Sequence, residues 1–151
     1  MLRLPKNYSN KLRTMYFDKE LEFLNNYEIT DNETNKRQKI SEYEVNTIRN
    51  NYPNLPLDYT NYLFEIGSGN LCESSFKIYS GLCDFDDLGL EDIYQIPENI
   101  KFFGDNYSGD FAGFDISDST DEVIEFWHDS DRFFKTGKTF RQYVRDKMGI
   151  D

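Results

Sequence analysis

Residues 52–71 read YPNLPLDYTNYLFEIGSGNL and predict one buried helix with a defined start and a defined end. Pro56 favours the first helical position, because its fixed φ is already helical and its missing N–H would have no partner there. Apolar residues then recur at spacings of three and four, the pattern of a buried helical stripe: Tyr59, Tyr62, Leu63 and Ile66. Gly67 and Gly69 end the helix, since glycine reaches the left-handed conformation that closes helices. We expect this helix to form a wall of the core.

Two further helices are predicted before this one. Apolar residues recur with helical spacing over 16–27, whereas the polar stretch 29–39 has no periodicity and is predicted to be a loop. Ser41 and Glu44 form a capping-box pattern, in which a hydroxyl and a carboxylate satisfy each other's backbone donors. This pattern opens a helix that must stop before Pro53, because the residue preceding a proline avoids the helical region.

After residue 71 the periodicity changes from helical to alternating, which predicts β-strands. Alternation occurs at 75–80, 110–116 and 122–127, and a compact apolar run occupies 100–103. The turns between the last three of these segments are too short for parallel crossovers, so we expect three adjacent antiparallel strands.

A helix is predicted to close the chain. Thr139 and Gln142 repeat the capping-box pattern, and a buried stripe follows it: Phe140, Tyr143, Val144 and Met148. The predicted fold class is therefore α+β, an antiparallel β-sheet packed on one side by N-terminal helices and a C-terminal helix.

The length and composition limit the remaining possibilities. At 151 residues, 1–151 is predicted to be a single domain with a core at 41–148 and an N-terminal helix and polar loop at 1–40. No apolar run reaches transmembrane length and no secretory signal is visible, so we expect a cytoplasmic protein without membrane contact. Cys72 and Cys83 lack metal-ligand spacing, and we expect free thiols, no bound metal and no cofactor.

The net charge of −11 is unevenly distributed along the chain. Residues 84–131 carry 15 Asp and Glu against one base, Lys101, whereas residues 132–151 carry six bases against two acids. Such an acidic segment repels nucleic acid, so direct DNA or RNA binding is not expected. It attracts a basic protein. The alternative is that the acids only keep a small domain soluble.

Short motifs that occur in a fixed order link this chain to a known family. They are Ser41–Asn50, Leu55-Pro56-Leu57-Asp58-Tyr59, Gly67-Ser68-Gly69-Asn70, Phe103-Gly104-Asp105 with Ser108-Gly109-Asp110, Phe126-Trp127-His128-Asp129 and Thr139-Phe140. In this order, over about residues 41–148, the chain resembles the SMI1/KNR4 proteins, also called the SUKH superfamily. Residues 1–40 form a longer N-terminal portion than the resemblance explains.

The resemblance implies a non-enzymatic role. Many bacterial SUKH proteins resemble immunity proteins that bind and block toxins, often nucleases, while fungal relatives are regulatory scaffolds. We therefore hypothesise an immunity protein or antitoxin that binds a basic cognate toxin through acidic loops. The candidate contact residues lie in predicted loops: Asp84, Asp86, Asp87, Glu91, Asp92, Asp118 and Asp121. The oligomeric state is not predicted.

The alternative is a regulatory interaction scaffold or a small-ligand-binding domain. Exposed tyrosines would suit that role, since tyrosine combines a large contact area with a polar tip. The candidates are Tyr79, Tyr94 and Tyr107.

Two patterns in the sequence partly match a catalytic site and a metal site, and neither is complete. His128, the single histidine, precedes Asp129, but adjacent residues on a strand point to opposite faces, so we expect a strand-end histidine held by a hydrogen bond. The segment 115–121 places oxygen ligands at alternate positions, as calcium loops do. It lacks the central glycine, and Phe126 occupies the position of the bidentate glutamate. No catalytic residue is predicted.

Overall fold

The computed structural model describes residues 16–28, 32–72 and 75–150. Its helices are α1 (Asp18–Tyr27), α2 (Glu42–Asn51), α3 (Leu57–Glu65) and α4 (Phe140–Met148), with a 3-10 turn at Glu33–Asn35. Its strands are β1 (Gly69–Leu71), β2 (Phe76–Cys83), β3 (Ile100–Asp105), β4 (Phe111–Asp115), β5 (Glu122–Trp127) and β6 (Arg132–Thr139). The expectations for residues 1–15 and for residues 29–31 fall outside the described residues.

The six strands form one antiparallel sheet in sequence order, each strand pairing with the next. Side chains alternate between the two faces of a strand, so neighbouring residues enter different clusters. Phe103 and Ala112 join the cluster beneath the helices, whereas Phe102 and Phe111 join a second cluster on the opposite face. The predicted α+β class, with helices on one side of an antiparallel sheet, is confirmed.

Helix α3 lies at the centre of the helical layer. Tyr59, Tyr62 and Leu63 are each 0% exposed, and Ile66 is 4% exposed, so the predicted buried stripe is confirmed. The ring of Tyr59 lies 5.5–5.9 Å from three other aromatic rings, those of Phe103, Phe114 and Phe140. The helix begins one residue later than predicted, because Pro56 has an extended ψ of 135° and acts as the N-cap.

Gly67 is required by a close approach of two chain segments. Its φ is 106°, and a Cβ built on it would lie 2.6 Å from the backbone carbon of Gln38. Gln38 and Ser68 exchange backbone hydrogen bonds of 2.9 Å there. The loop before α2 is therefore fixed against the end of α3 by a glycine that no other residue can replace without moving the backbone.

Helices α1 and α4 are joined through a buried carboxylate. The side chain of Glu20 is fully buried, and Arg145 donates a 2.8 Å hydrogen bond from Nε to its Oε2. The Arg141 guanidinium lies 4.1 Å from the centre of the Tyr16 ring, where the negative face of the ring attracts it. The two ends of the described chain are thus held together by charge as well as by apolar packing.

The face of the sheet opposite the helices is also covered, which the sequence did not predict. Residues 84–99 form a loop that packs Phe85, Leu88, Leu90 and Tyr94 against this second aromatic cluster. The acidic segment is therefore an integral layer of the fold.

Over the described residues the sheet has six strands, two more than the four that the sequence predicted, and the additional ones are β1 and β6. β1 has only three residues, too few for a periodic signal. β6 reads RFFKTGKT and is exposed along most of its length, so it lacks the alternation of buried residues that identifies a strand. It pairs with β5 from Trp127↔Arg132 to Glu122↔Thr139.

Replacing Tyr59 with alanine should cost about 3–5 kcal/mol of unfolding free energy, because it leaves a cavity among three aromatic rings. Urea unfolding measures the change. Tyr43→Ala is the matched control, since Tyr43 is 79% exposed, and it should change the free energy by less than about 0.5 kcal/mol. Equal effects of the two substitutions would show that α3 does not face the core.

Candidate partner-binding surface

The 15 acids of residues 84–131 divide into two structural groups. Six are half-buried, and each accepts a hydrogen bond that holds a turn or joins two segments of the fold. The pairs are Asp84 with Lys101, Asp105 with Tyr79, Asp110 with His128, Asp115 with Ser117, Glu122 with Gly137, and Glu125 with Tyr143. These six carboxylates therefore maintain the fold.

The other nine acids are exposed. They are Asp86, Asp87, Glu91, Asp92, Glu98, Asp118, Asp121, Asp129 and Asp131. Within the described ranges none of the nine forms an ion pair. Their charge is consequently not neutralised within the described part of the chain, and it is available to attract a partner.

Asp84 fixes the start of the acidic loop. Its Oδ2 lies 3.0 Å from Lys101 Nζ, and its side chain is only 17% exposed. Asp84 and Asp87 also cap each other, since each carboxylate accepts a hydrogen bond from the other residue's backbone N–H, at 2.9 and 3.0 Å. The bonds from the Asp87 backbone and from Lys101 lower the pKa of Asp84.

Phe85 anchors the same loop to the sheet. It is fully buried, and its ring lies 5.0 Å from the rings of Tyr94, Phe102 and Phe126. The Leu90 N–H donates a 2.7 Å hydrogen bond to the Phe85 carbonyl, which closes the loop into a compact turn. The exposed acids on this loop are therefore displayed from a fixed backbone.

The predicted contact residues fall on two separate loops. Asp86, Asp87, Glu91 and Asp92 share the 84–99 loop, with Asp84 at its base. Asp118 and Asp121 lie on the β4–β5 turn, and a 2.8 Å hydrogen bond from the Ile116 N–H to the Asn99 carbonyl joins the two loops. The contact role of all seven residues stays a prediction.

Sequence reasoning missed a groove beside the acidic loop that has both apolar and polar lining. Its volume is about 440 Å³, and Ile93, Ile96, Pro97 and Phe133 line it together with Tyr94, Gln95, Phe126 and Asp131. Ile93 is 66% exposed, Ile96 38% and Phe133 36%. The signal in the sequence was two isoleucines in a polar loop, but their exposure depends on β6, which was not identified.

Two of the three tyrosines expected to be exposed are not. Tyr79 is half-buried and donates a 2.6 Å hydrogen bond to Asp105 Oδ2, while Tyr94 packs against Phe85 and Phe126. Tyr107 is exposed. The prediction for Tyr79 and Tyr94 was wrong, because the loop that follows β2 folds back over the sheet.

His128 lies at the end of β5 and is held by the neighbouring hairpin, as predicted. Asp110 Oδ1 accepts a 3.0 Å hydrogen bond from the His128 backbone N–H and lies 2.8 Å from its Nδ1. This bond raises the pKa of His128. Burial opposes ionisation of Asp110, but the hydrogen bonds from His128 and Asn106 outweigh it and lower the pKa of that carboxyl.

The calcium-like segment forms a local turn. Asp115 Oδ1 accepts hydrogen bonds from the Ser117 backbone N–H and hydroxyl, at 3.0 and 2.6 Å. Over the described ranges no group of three His, Cys, Asp or Glu side chains is placed to hold a metal ion. Cys83 is a free cysteine. In the same ranges no helix has the length and apolar character needed to span a membrane.

Phe85→Ala should release the acidic loop from the sheet, because it removes a ring that lies 5.0–5.9 Å from four others. We expect a loss of about 3–5 kcal/mol of stability and faster amide hydrogen exchange at Leu90 and Tyr94. Amides in the middle of α3 serve as the internal control and should keep more of their protection. An equal loss of protection in α3 would show that the loop and the helical layer open as one unit.

The pKa of His128 should lie above about 6.5, and Asp110→Asn should lower it. The stabilisation from the protonated ring is complete below its unfolded pKa and is lost as the pH rises through the folded pKa. The contribution of the Asp110 carboxylate is lost as the pH falls through its lowered pKa. NMR titration is unambiguous, since the chain has one histidine. Asp129→Asn is the control and should lower the pKa less; an equal effect would contradict the pairing.

A family model described as SUKH_6, SMI1-KNR4 cell-wall, matches residues 49–144. The match comprises 96 of the 151 residues and runs from the end of α2 through the whole sheet into α4. Comparison with curated proteins and with solved structures returned no match. The match includes the motifs from Leu55-Pro56 to Thr139-Phe140 on which the resemblance was based. The chain therefore belongs to the SMI1/KNR4 family of SUKH-type domains.

Proposed function

We propose that this chain is a non-enzymatic immunity protein or antitoxin that binds a basic cognate toxin, of which a nuclease is one class, through its acidic surface. The observation that carries the proposal is the group of nine exposed acids with no ion pair among the described residues. Family membership supports it, since SUKH-type domains are generally non-catalytic and related to immunity or the cell wall.

Electrostatic complementarity explains how such a surface would work. A nuclease needs a basic cleft for phosphate groups, so a protein with clustered carboxylates is attracted to that cleft and occupies it. The same carboxylates repel nucleic acid, which keeps the protein free for its partner.

The fixed backbone of the 84–99 loop also favours binding. Phe85 and the Asp84–Lys101 ion pair hold the loop in place, so little conformational entropy is lost when a partner docks. Within this loop, Asp86, Glu91 and Asp92 are the first candidates for contact, because Asp84 and Asp87 also hold the turn. Asp118 and Asp121 form the second group.

A small-ligand-binding or scaffold role is the alternative, and one cavity favours it. This cavity of about 220 Å³ lies beside β5 and α4, and its lining includes Glu125, Trp127, Tyr143 and Lys147. A pulldown that returns several unrelated proteins, or a metabolite that protects the chain against thermal unfolding, would favour this role over toxin neutralisation.

Co-expression with the product of the neighbouring gene tests the main proposal. That product should be toxic alone and harmless with this chain. Glu91→Lys should slow association roughly threefold at low salt, with a smaller effect at high salt, because it reverses a steering charge. Glu22→Lys makes the same exchange at an exposed position on α1 and should leave the rate unchanged. A neighbour that is harmless alone, or toxic with or without this chain, would sink the proposal.

A further inference from the structure

We propose that the groove between residues 93–97 and the β5–β6 hairpin binds one large apolar side chain carried on a basic segment of the partner protein. The groove would anchor the partner of the proposed function, and the class of partner rests on that proposed function. The acids would then raise the association rate of the partner, and the groove would lower its dissociation rate.

Aliphatic and aromatic side chains line the groove on both sides, together with the polar residues Gln95 and Asp131. Ile93, Ile96 and Pro97 come from the acidic loop, whereas Phe126 and Phe133 come from the hairpin. Its volume of about 440 Å³ accommodates a Trp, Phe or Leu side chain with room to spare. Ile93, Ile96 and Phe133 are partly exposed, so apolar surface remains in contact with water. A docked side chain would cover this surface.

The aromatic part of the lining is continuous with the buried second cluster. The ring of Phe126 lies 4.9 Å from that of Tyr94 and 5.0 Å from that of Phe133, and Phe133 stacks on Phe102 with their planes 6° apart. A pocket supported in this way is already formed before its ligand arrives. Pre-formed apolar pockets of this kind hold the residues that dominate binding energy in protein interfaces.

The charged residues around the groove are mainly acidic. Asp131 is the only ionisable acid or base among the lining residues, apart from the Tyr94 hydroxyl. Exposed acids flank the lining in sequence on both sides: Asp92 precedes Ile93, Glu98 follows Pro97, and Asp129 lies in the hairpin turn. Arg132 lies opposite Trp127 in the strand register, so its side chain leaves β6 on the other face from Phe133. Lys135 shares the Phe133 face but lies opposite Ile124, outside the groove lining. The matching occupant is therefore an apolar side chain flanked by Lys or Arg.

Two short synthetic peptides test the proposal without any toxin. One has a single central Trp flanked by Lys and Arg, and the other has Gly in place of Trp. We expect the Trp peptide to bind the full chain about tenfold more tightly, because only its ring is transferred from water into the groove. NMR titration of the labelled chain measures both affinities and should show the largest shift changes at Ile93, Ile96 and Phe133.

Phe133→Ser should remove the difference between the two peptides while leaving the binding of the Gly peptide unchanged. Ile96→Ser is a second variant on the opposite side and should act in the same direction. Leu57→Ser is the control, since Leu57 is also exposed but lies on α3 in the helical layer, and it should preserve the difference.

Equal binding of the two peptides, or shift changes centred outside the groove, would overturn the proposal. So would a wild-type dimer that Phe133→Ser dissociates, because a second copy of the chain would then be the occupant. If the Trp peptide binds in the groove but the neighbouring gene product is not neutralised, the groove assignment holds and only the toxin assignment fails.

Discussion

The packing of α3 against the sheet is the contact on which the rest of the structure depends. Tyr59 has no exposed surface and touches aromatic rings from β3, β4 and α4, so one side chain joins the helical layer to the centre of the sheet and to the last helix. Its hydroxyl donates a 3.2 Å hydrogen bond to the Tyr79 carbonyl on β2, which satisfies the polar atom that this side chain brings into the core. Through Tyr59, helix α3 therefore contacts β2, β3, β4 and α4 and fixes how these four elements pack together.

The sheet then separates two layers with different roles. On one face, helices bury the cluster that includes Phe103 and Phe114; on the other, the 84–99 loop buries the cluster that includes Phe102 and Phe111. A loop has fewer internal hydrogen bonds than a helix, so it relies on anchors such as Phe85 and on the Asp84–Lys101 pair. Exposed residues on such a loop can be exchanged while the anchored backbone stays in place, a common basis for specific recognition.

The acidic residues of segment 84–131 also have two roles, since some hold the fold together and others face solvent. The half-buried Asp110 holds a strand end and Glu125 joins β5 to α4, whereas the exposed acids on the 84–99 loop have no ion-pair partner among the described residues. The net charge of the acidic segment thus overstates the charge that a partner would meet. Acids that face solvent flank Ile93 and Ile96 in the chain, so the loop presents charge and apolar surface together, as the proposed interface requires.

Local features of the fold were determined by the sequence itself. The capping boxes at Ser41 and Thr139 form as predicted, and the stripe on α3 is buried, because caps and helical periodicity depend on residues within a few positions of one another. The family motifs between Leu55 and Phe140 are also local features, since they are caps, turns and strand ends. The candidate acids were also visible, as a charge excess between residues 84 and 131.

Tertiary structure alone decided which of those acids are free and what lies beside them. Asp84 and Glu91 look alike in sequence, yet one is paired with Lys101 and the other faces solvent, because pairing depends on a strand that begins 16 residues after Asp84. The groove needs Ile93 from the loop and Phe133 from β6, two residues that the folded sheet brings together. Sequence patterns reflect interactions between residues that are close in the chain. A surface is formed by residues that are distant in the chain, and only the packing of the sheet brings them together.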